Sequence, residues 1–90
     1  MYLYEGEYRQ GKRWGQGRIT WADGSYYIGD WKNDKPHGQG KMVLPRQYKT
    51  TVYKGGFRRG RFHGKGIWVI INYKNVVKTY FEANFNNHKA

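Results

Sequence analysis

Apolar and polar residues alternate in short segments along the chain. In segment 4–9, tyrosine or glycine occupies the even positions and a charged residue occupies each odd position. Segment 17–21 alternates again, with Ile19 and Trp21 as its apolar residues. A period of two is typical of a β-strand with one apolar face. No window shows the 3.6-residue apolar spacing of an amphipathic helix, so the pattern predicts an all-β protein.

Turn signals separate the alternating segments. Glycines in segment 10–15 indicate the turn of a first hairpin, and the Asp-Gly pair within 22–25 is typical of a tight hairpin turn. Pro45 cannot donate to a sheet, so we expect it at a strand end, with segment 44–51 forming a longer loop. Segment 72–75 is expected to form a further turn. The sequence therefore predicts an antiparallel meander of stacked β-hairpins with about seven strands.

One fourteen-residue unit organises the chain. YEGEYRQGKRWGQG begins at Tyr4, returns as YIGDWKNDKPHGQG from Tyr27 and as YKGGFRRGRFHGKG from Tyr53, and a partial copy begins at Phe81. The starts are separated by 23, 26 and 28 residues. Recurrence at such a period indicates a repeat array in which each unit stacks on its neighbour. We expect residues 1–90 to form one domain with a partial capping repeat and a frayed end.

The recurring pattern is aromatic-x-Gly-acid-aromatic, followed by Gly-x-Gly nine residues after the first glycine. It resembles the MORN (membrane occupation and recognition nexus) repeat. Two positions depart from the pattern, because Asp34 replaces a turn glycine and Gly56 replaces the acid. The resemblance implies a scaffold or dimerising module and contact with anionic phospholipids.

Glycine recurs inside the predicted strands at positions 6, 29 and 55. Glycine weakens a strand interior, so we expect an aromatic ring from an adjoining strand to approach each of these positions closely. The aromatic residues should then form one ladder on one face: Tyr4, Tyr8, Tyr27, Trp31, Tyr53, Phe57, Phe81 and Phe85. The alternative is that these rings form a stacking platform for nucleic-acid bases.

The sequence offers little catalytic chemistry. It lacks cysteine, which excludes disulfides, thiolate metal sites and a cysteine nucleophile. No nucleophile, base and orienting group come together, so we expect a non-enzymatic protein without a cofactor. The Gly-x-Gly segments precede predicted strands and not helices, which argues against a nucleotide-binding phosphate loop.

Histidines and acids recur at matching repeat positions. His37 and His63 precede the Gly-x-Gly, where the first repeat has Trp14, so we expect packing or turn roles and no metal site. Glu7 and Asp30 share another position, and a common structural hydrogen bond is the expected role.

The chain is strongly basic. Seventeen Lys and Arg against six Asp and Glu give a formal net charge of +11, which favours anionic partners. Stacked hairpins would align their turns as a basic edge, with these predicted contacts: Lys12, Arg13, Lys32, Lys35, Arg58, Arg59, Arg61 and Lys65. With the family resemblance, this edge predicts a non-catalytic module that contacts an anionic phospholipid surface. Protein–protein interaction or dimerisation, nucleic-acid binding and a purely solubilising charge are the alternatives.

A second surface is predicted on the third repeat. Ile67, Val69 and Ile71 form an apolar strip on the face opposite the ladder, which predicts a homodimer or contact with a partner or another segment. The alternative is that the terminal strand and tail fold over it. The N-terminus lacks a signal-peptide pattern, and the longest apolar run has five residues against the roughly 20 that span a bilayer. We therefore expect a cytoplasmic protein, peripheral to any membrane it meets.

Overall fold

A computed structural model of the chain describes residues 1–72 and the strand 77–85. Seven antiparallel strands form one sheet in sequence order: β1 (Tyr2–Arg9), β2 (Lys12–Trp21), β3 (Tyr26–Lys32), β4 (Lys35–Pro45), β5 (Lys49–Arg58), β6 (Arg61–Asn72) and β7 (Val77–Phe85). The described ranges contain no helix, so the predicted all-β meander is confirmed. The predicted turn beyond Asn72, the expected frayed end at 86–90 and the side chains of Phe81 and Phe85 lie outside the described residues.

Each of the three hairpins has one tight turn, and the three turns lie at one edge of the sheet. The turn pairs are Gln10–Gly11, Asn33–Asp34 and Arg59–Gly60, and all six residues have φ between 52° and 81°. Two consecutive left-handed residues match the twist of a two-residue hairpin. The predicted turn over 10–15 was too long, because β2 already begins at Lys12. Gly15, with φ 79°, instead lies inside β2, where the register with β1 shifts.

The connections at the opposite edge are also short. At the Asp-Gly turn, the amide of Trp21 donates to the carbonyl of Ser25 at 2.8 Å, which confirms the predicted tight turn. The longer loop predicted over 44–51 is wrong. Strand β4 continues to Pro45 and β5 begins at Lys49, because the flanking residues pair across the sheet in continuous register. Pro45 ends its strand, as expected.

The registers place equivalent residues in rows that cross the sheet on its front face. The tyrosine row consists of Tyr4, Ile19, Tyr27, Met42, Tyr53 and Trp68, and continues at position 81. The glycine row consists of Gly6, Gly17, Gly29, Gly40, Gly55 and Gly66, and continues at Ala83. Each tyrosine of the first row therefore lies two residues before a glycine of the second.

Absent side chains in the glycine row make room for tyrosine rings. A Cβ atom on Gly40 would lie 2.5 Å from Cζ of Tyr27, whose ring reaches across from β3. The expectation is therefore wrong for Gly6, Gly29 and Gly55, because the tyrosine near each of them belongs to the same strand. A ring from an adjoining strand instead approaches Gly17, Gly40 and Gly66. The nearest neighbours of a Cβ atom at Gly29 include Cα of Gly40, at 2.5 Å.

The predicted aromatic ladder is present for every member whose side chain is described. Tyr27 lies at its centre, with ring centroids 5.3 Å from Trp31 and 4.9 Å from Phe57, and both contacts are edge-to-face. Tyr4 contacts Trp31 at 5.3 Å in the same way, and Tyr53 contacts Phe57 at 5.3 Å. Tyr27 and Tyr53 are fully buried, so neither ring is open for stacking against a nucleic-acid base.

Candidate anion-binding cleft

Backbone hydrogen bonds join neighbouring hairpin turns along one edge of the sheet. The amide of Asp34 donates to the carbonyl of Arg13 at 3.0 Å, and the amide of Gly60 donates to the carbonyl of Pro36 at 2.9 Å. These two bonds connect equivalent positions of successive repeats. The turns therefore align along one edge of the sheet.

Between the second and third turns the edge opens into a cleft of about 540 Å³. This basic cleft is lined by Lys32, Asn33, Lys35, His37, Arg58 and Arg59. Four of the six side chains are cationic and none is a carboxylate. The arrangement suits a multiply charged anion, because nothing in the lining repels one.

The hairpin register brings like charges together at this edge. Lys32 is paired with Lys35 across the second turn, and Arg58 is paired with Arg61 across the third. Like charges directly opposite each other on a sheet are destabilising. Within the part of the chain that the structure describes, none of these four residues belongs to an ion pair. A bound anion would relieve this repulsion.

Arg13 differs from the other predicted anion contacts, because its charge is already used by the fold. Its Nε atom lies 2.7 Å from Oδ1 of Asp34, and its guanidinium lies 4.7 Å from the ring centre of Trp31. Its side chain is only 18% exposed. Hydrogen bonds from the side chain and the backbone amide of Arg13 lower the pKa of Asp34. We therefore assign Arg13 a structural role.

The remaining predicted contacts are exposed but do not line the cleft. Lys12, Arg61 and Lys65 face solvent, and none of them belongs to the cleft lining. Asn33 and His37, by contrast, line the cleft and were not predicted as anion contacts. Asn33 is recognisable as a turn residue, but its nearness to Arg59 depends on how the second and third repeats stack.

The recurring acids are used inside the sheet, as predicted. Glu7 accepts a hydrogen bond from the amide of Gln16 at 2.9 Å, and Asp30 accepts one from the amide of Gln39 at 2.9 Å. The side-chain amide of Gln16 also donates to Asp30, which connects the first repeat to the second. Gly56 takes the place of the acid in the third repeat, so the third hairpin has no carboxylate at this position.

The two recurring histidines have different surroundings. Nδ1 of His37 accepts a hydrogen bond from the amide of Arg59 at 3.4 Å. Nδ1 of His63 is buried and has no hydrogen-bond partner among the described residues. Among the described residues, no three His, Cys, Asp or Glu side chains cluster as metal ligands. Those residues also include no helix that could cross a bilayer.

The apolar strip predicted on the third repeat lies on the back face of the sheet. Its neighbour Trp68 packs against the core on the front face, so Ile67, Val69 and Ile71 point the other way. Ile67 is 43% exposed, and Val69 and Ile71 are partly buried.

Comparison with known proteins agrees with this architecture. The chain is 35% identical over 86 residues to the human ALS2 C-terminal-like protein, covering 93% of this chain and 9% of that protein. It is 31% identical over 67 residues to rat Alsin, covering 72% of this chain and 4% of Alsin. It therefore spans less than a tenth of the length of either relative. The MORN repeat model matches residues 4–26, 27–46 and 53–72, and the chain belongs to the MORN-repeat family.

Proposed function

We propose that the protein is a binding module that contacts anionic phospholipid headgroups through the basic cleft. MORN repeats serve generally as binding or scaffold modules. The observation that carries the finer proposal is the convergence of Lys32, Lys35, Arg58 and Arg59 on one open cleft without a carboxylate. The recurring acids Glu7 and Asp30 bind backbone amides, which supports a non-catalytic role.

The magnitude of the charge effect fits a membrane surface. Each basic residue close to an anionic leaflet contributes about 1 kcal/mol, so four would contribute about 4 kcal/mol. That free energy corresponds to roughly a thousandfold in affinity. The formal net charge of +11 would also raise the encounter rate with an anionic surface.

Nucleic-acid binding is the rival use of the same charge. Proteins that bind single strands without sequence preference add stacking on aromatic rings to their backbone contacts. In this chain Tyr27 and Tyr53 are buried beneath other rings, so the core of the ladder cannot supply that stacking. The cleft would have to act through phosphate contacts alone.

Vesicle sedimentation tests the proposal. We expect the protein to sediment with vesicles of phosphatidylserine and phosphatidylcholine, and to remain in solution with phosphatidylcholine alone. Binding should weaken as salt rises, because the contacts are exposed charges. Equal sedimentation with neutral vesicles would contradict the proposal. So would tighter binding to a short DNA duplex than to anionic vesicles at equal phosphate concentration.

A further inference from the structure

Two rows of side chains cross the back face of the sheet, opposite the tyrosine row. The valine row consists of Leu3, Thr20, Tyr26, Val43, Val52 and Val69. Beside it, two residues along each strand, the cationic row consists of Glu5, Arg18, Ile28, Lys41, Lys54 and Ile67. The strip at Ile67 and Val69 is therefore part of a surface that extends over the six strands whose side chains are described.

This back face is not covered by the described chain. The substantial contacts of each strand are with its sequence neighbours in the sheet, so none of the seven described strands forms a second layer over the rows. Leu3 is 59% exposed, and Ile28 and Ile67 are each 43% exposed. These three side chains lie on different strands, and Val43, Val52 and Val69 are partly exposed. Together they form an uncovered apolar surface, which favours an interaction site.

The charges of the cationic row indicate the nature of the occupant. Lys41 and Lys54 are directly opposite each other on adjacent strands, which is an unfavourable arrangement. Neither lysine forms an ion pair with any residue that the structure describes. Arg18 lies over the ring of Tyr26, with 4.3 Å from its guanidinium carbon to the ring centre, and so borders the valine row. The surface therefore combines an apolar row with the unpaired charges of Lys41 and Lys54 along one side, while Arg18 lies opposite Glu5.

The side-chain lengths on the back face favour a narrow, rod-like partner over a flat one. Val43 and Val52 are shorter than Lys41 and Lys54, which lie beside them on the same strands, so longer cationic side chains border the valines on one side. A flat bilayer would meet the lysines first, whereas a narrow helix can place its apolar stripe on the valines beside them. A second copy of this chain is disfavoured, because its back face would bring the same cations.

We propose that the back face binds an amphipathic α-helix of a partner protein, with the apolar stripe of the helix on the valine row and acidic side chains beside that stripe on Lys41 and Lys54. The four strand spacings from β2 to β6 measure about 19 Å, which corresponds to about 13 helical residues. Helices of this type commonly bind through such a stripe in a groove. The proposal concerns a different surface from the basic cleft and does not depend on lipid binding.

A set of three synthetic helical peptides tests the inference. Each peptide has about 18 residues and the same leucine stripe, and the residues beside the stripe are all Glu, all Gln or all Lys. Fluorescence anisotropy with the full chain should show the Glu peptide binding about tenfold more tightly than the Gln peptide. The double variant Lys41→Gln, Lys54→Gln should lose this preference. The variant Val43→Thr, Val52→Thr should weaken both peptides while preserving the strands.

A matched variant distinguishes binding at the back face from attraction of the peptide to the net positive charge of the protein. Arg58→Ser with Arg59→Asn also removes two charges, but at the basic cleft, and it should leave the preference for the Glu peptide unchanged. The inference is overturned if no peptide binds, or if the preference survives the lysine substitutions. It is also overturned if Val43→Thr, Val52→Thr leaves the peptide affinity unchanged but abolishes vesicle binding, because the back face would then contact a membrane. The same variant overturns it if the peptide affinity is unchanged and a dimer becomes a monomer, because the back face would then bind a second copy of the chain. Circular dichroism of each variant establishes that the sheet is retained.

Discussion

Arg13 and Asp34, which lie 21 residues apart, are joined by hydrogen bonds in both directions. The Nε and backbone amide of Arg13 donate to Oδ1 of Asp34 at 2.7 and 3.1 Å, and the amide of Asp34 donates back to the carbonyl of Arg13 at 3.0 Å. Asp34 holds φ at 75° in its turn, a conformation that aspartate tolerates better than most residues. Asp34 thus belongs to the second hairpin turn and also links that turn to the first repeat.

Asp34→Asn should lower the thermal stability of the protein at neutral pH. Asparagine tolerates the same left-handed backbone, so the main loss is the charge that faces Arg13. Thermal unfolding followed by circular dichroism measures the difference between the two proteins across pH. Because the folded-state pKa of Asp34 is lowered, its contribution is present above the ordinary carboxyl pKa of about 3.9 and is lost as pH falls through the lowered value. A difference that stays constant down to strongly acidic pH would show that the ion pair does not stabilise the fold.

Gly40→Ala should be among the most damaging single-methyl substitutions in the sheet. The added Cβ atom would enter the ring of Tyr27, which is fully buried and has no room to move. We expect a loss of about 3 kcal/mol in the free energy of unfolding, measured by urea denaturation.

Gly60→Ala is the control for that loss. It adds the same methyl group at a turn position with φ 81° and nothing within 4 Å, so only backbone strain of about 1 kcal/mol is expected. Equal losses for Gly40→Ala and Gly60→Ala would contradict the role given to the glycine row.

Tyr27→Phe should destabilise the sheet and reduce its sensitivity to alkali. The hydroxyl of Tyr27 donates to the carbonyl of Asp30 at 2.7 Å, and its removal should cost about 1 kcal/mol at neutral pH. Burial raises the pKa of Tyr27 above its unfolded value of about 10. The unfolded state therefore releases its proton first, and stability falls as pH rises above about 10. Urea denaturation at neutral and alkaline pH should show a smaller fall for Tyr27→Phe than for the wild type. A steeper fall would contradict this account.

The repeat pattern predicted the sheet because each strand repeats the same alternation and the same glycine pair. It did not distinguish Gly11, a turn residue, from Gly15, which has the same positive φ inside a strand. Both positions require glycine or a residue that tolerates a left-handed backbone, so composition alone gives the same signal for each. The predicted first turn consequently extended four residues too far, over Lys12 to Gly15.

For the basic cleft, the sequence predicted only which edge of the sheet carries it. Turn positions identified Lys35 and Arg59, since a meander places alternate turns at the same side of the sheet. The pairing of Arg13 with Asp34 and the position of His37 beside Arg59 were not predictable, because both contacts cross between repeats. They depend on how far one turn is displaced against the next, which the register shift inside each repeat determines.

Arg58→Ser combined with Arg59→Asn should weaken binding to anionic vesicles by about 2 kcal/mol, or roughly thirtyfold. Both side chains line the basic cleft, and removing them leaves Lys32 and Lys35 on its other side. Asparagine is chosen at position 59 because the residue has φ 53° and its backbone amide, which donates to His37, is retained. Vesicle sedimentation at physiological salt measures the change.

The control removes the same charge from the opposite edge of the sheet. Arg46 and Lys49 flank the short connection between β4 and β5, are both exposed, and lie outside the lining of the cleft. Arg46→Ser with Lys49→Ser also lowers the net charge by two, so long-range attraction to the vesicle falls equally in the two variants. If the cleft makes the contact, the control should stay within about threefold of the wild type. Equal weakening of the two variants would mean that net charge alone draws the protein to the membrane, and the cleft would then lose its assigned role.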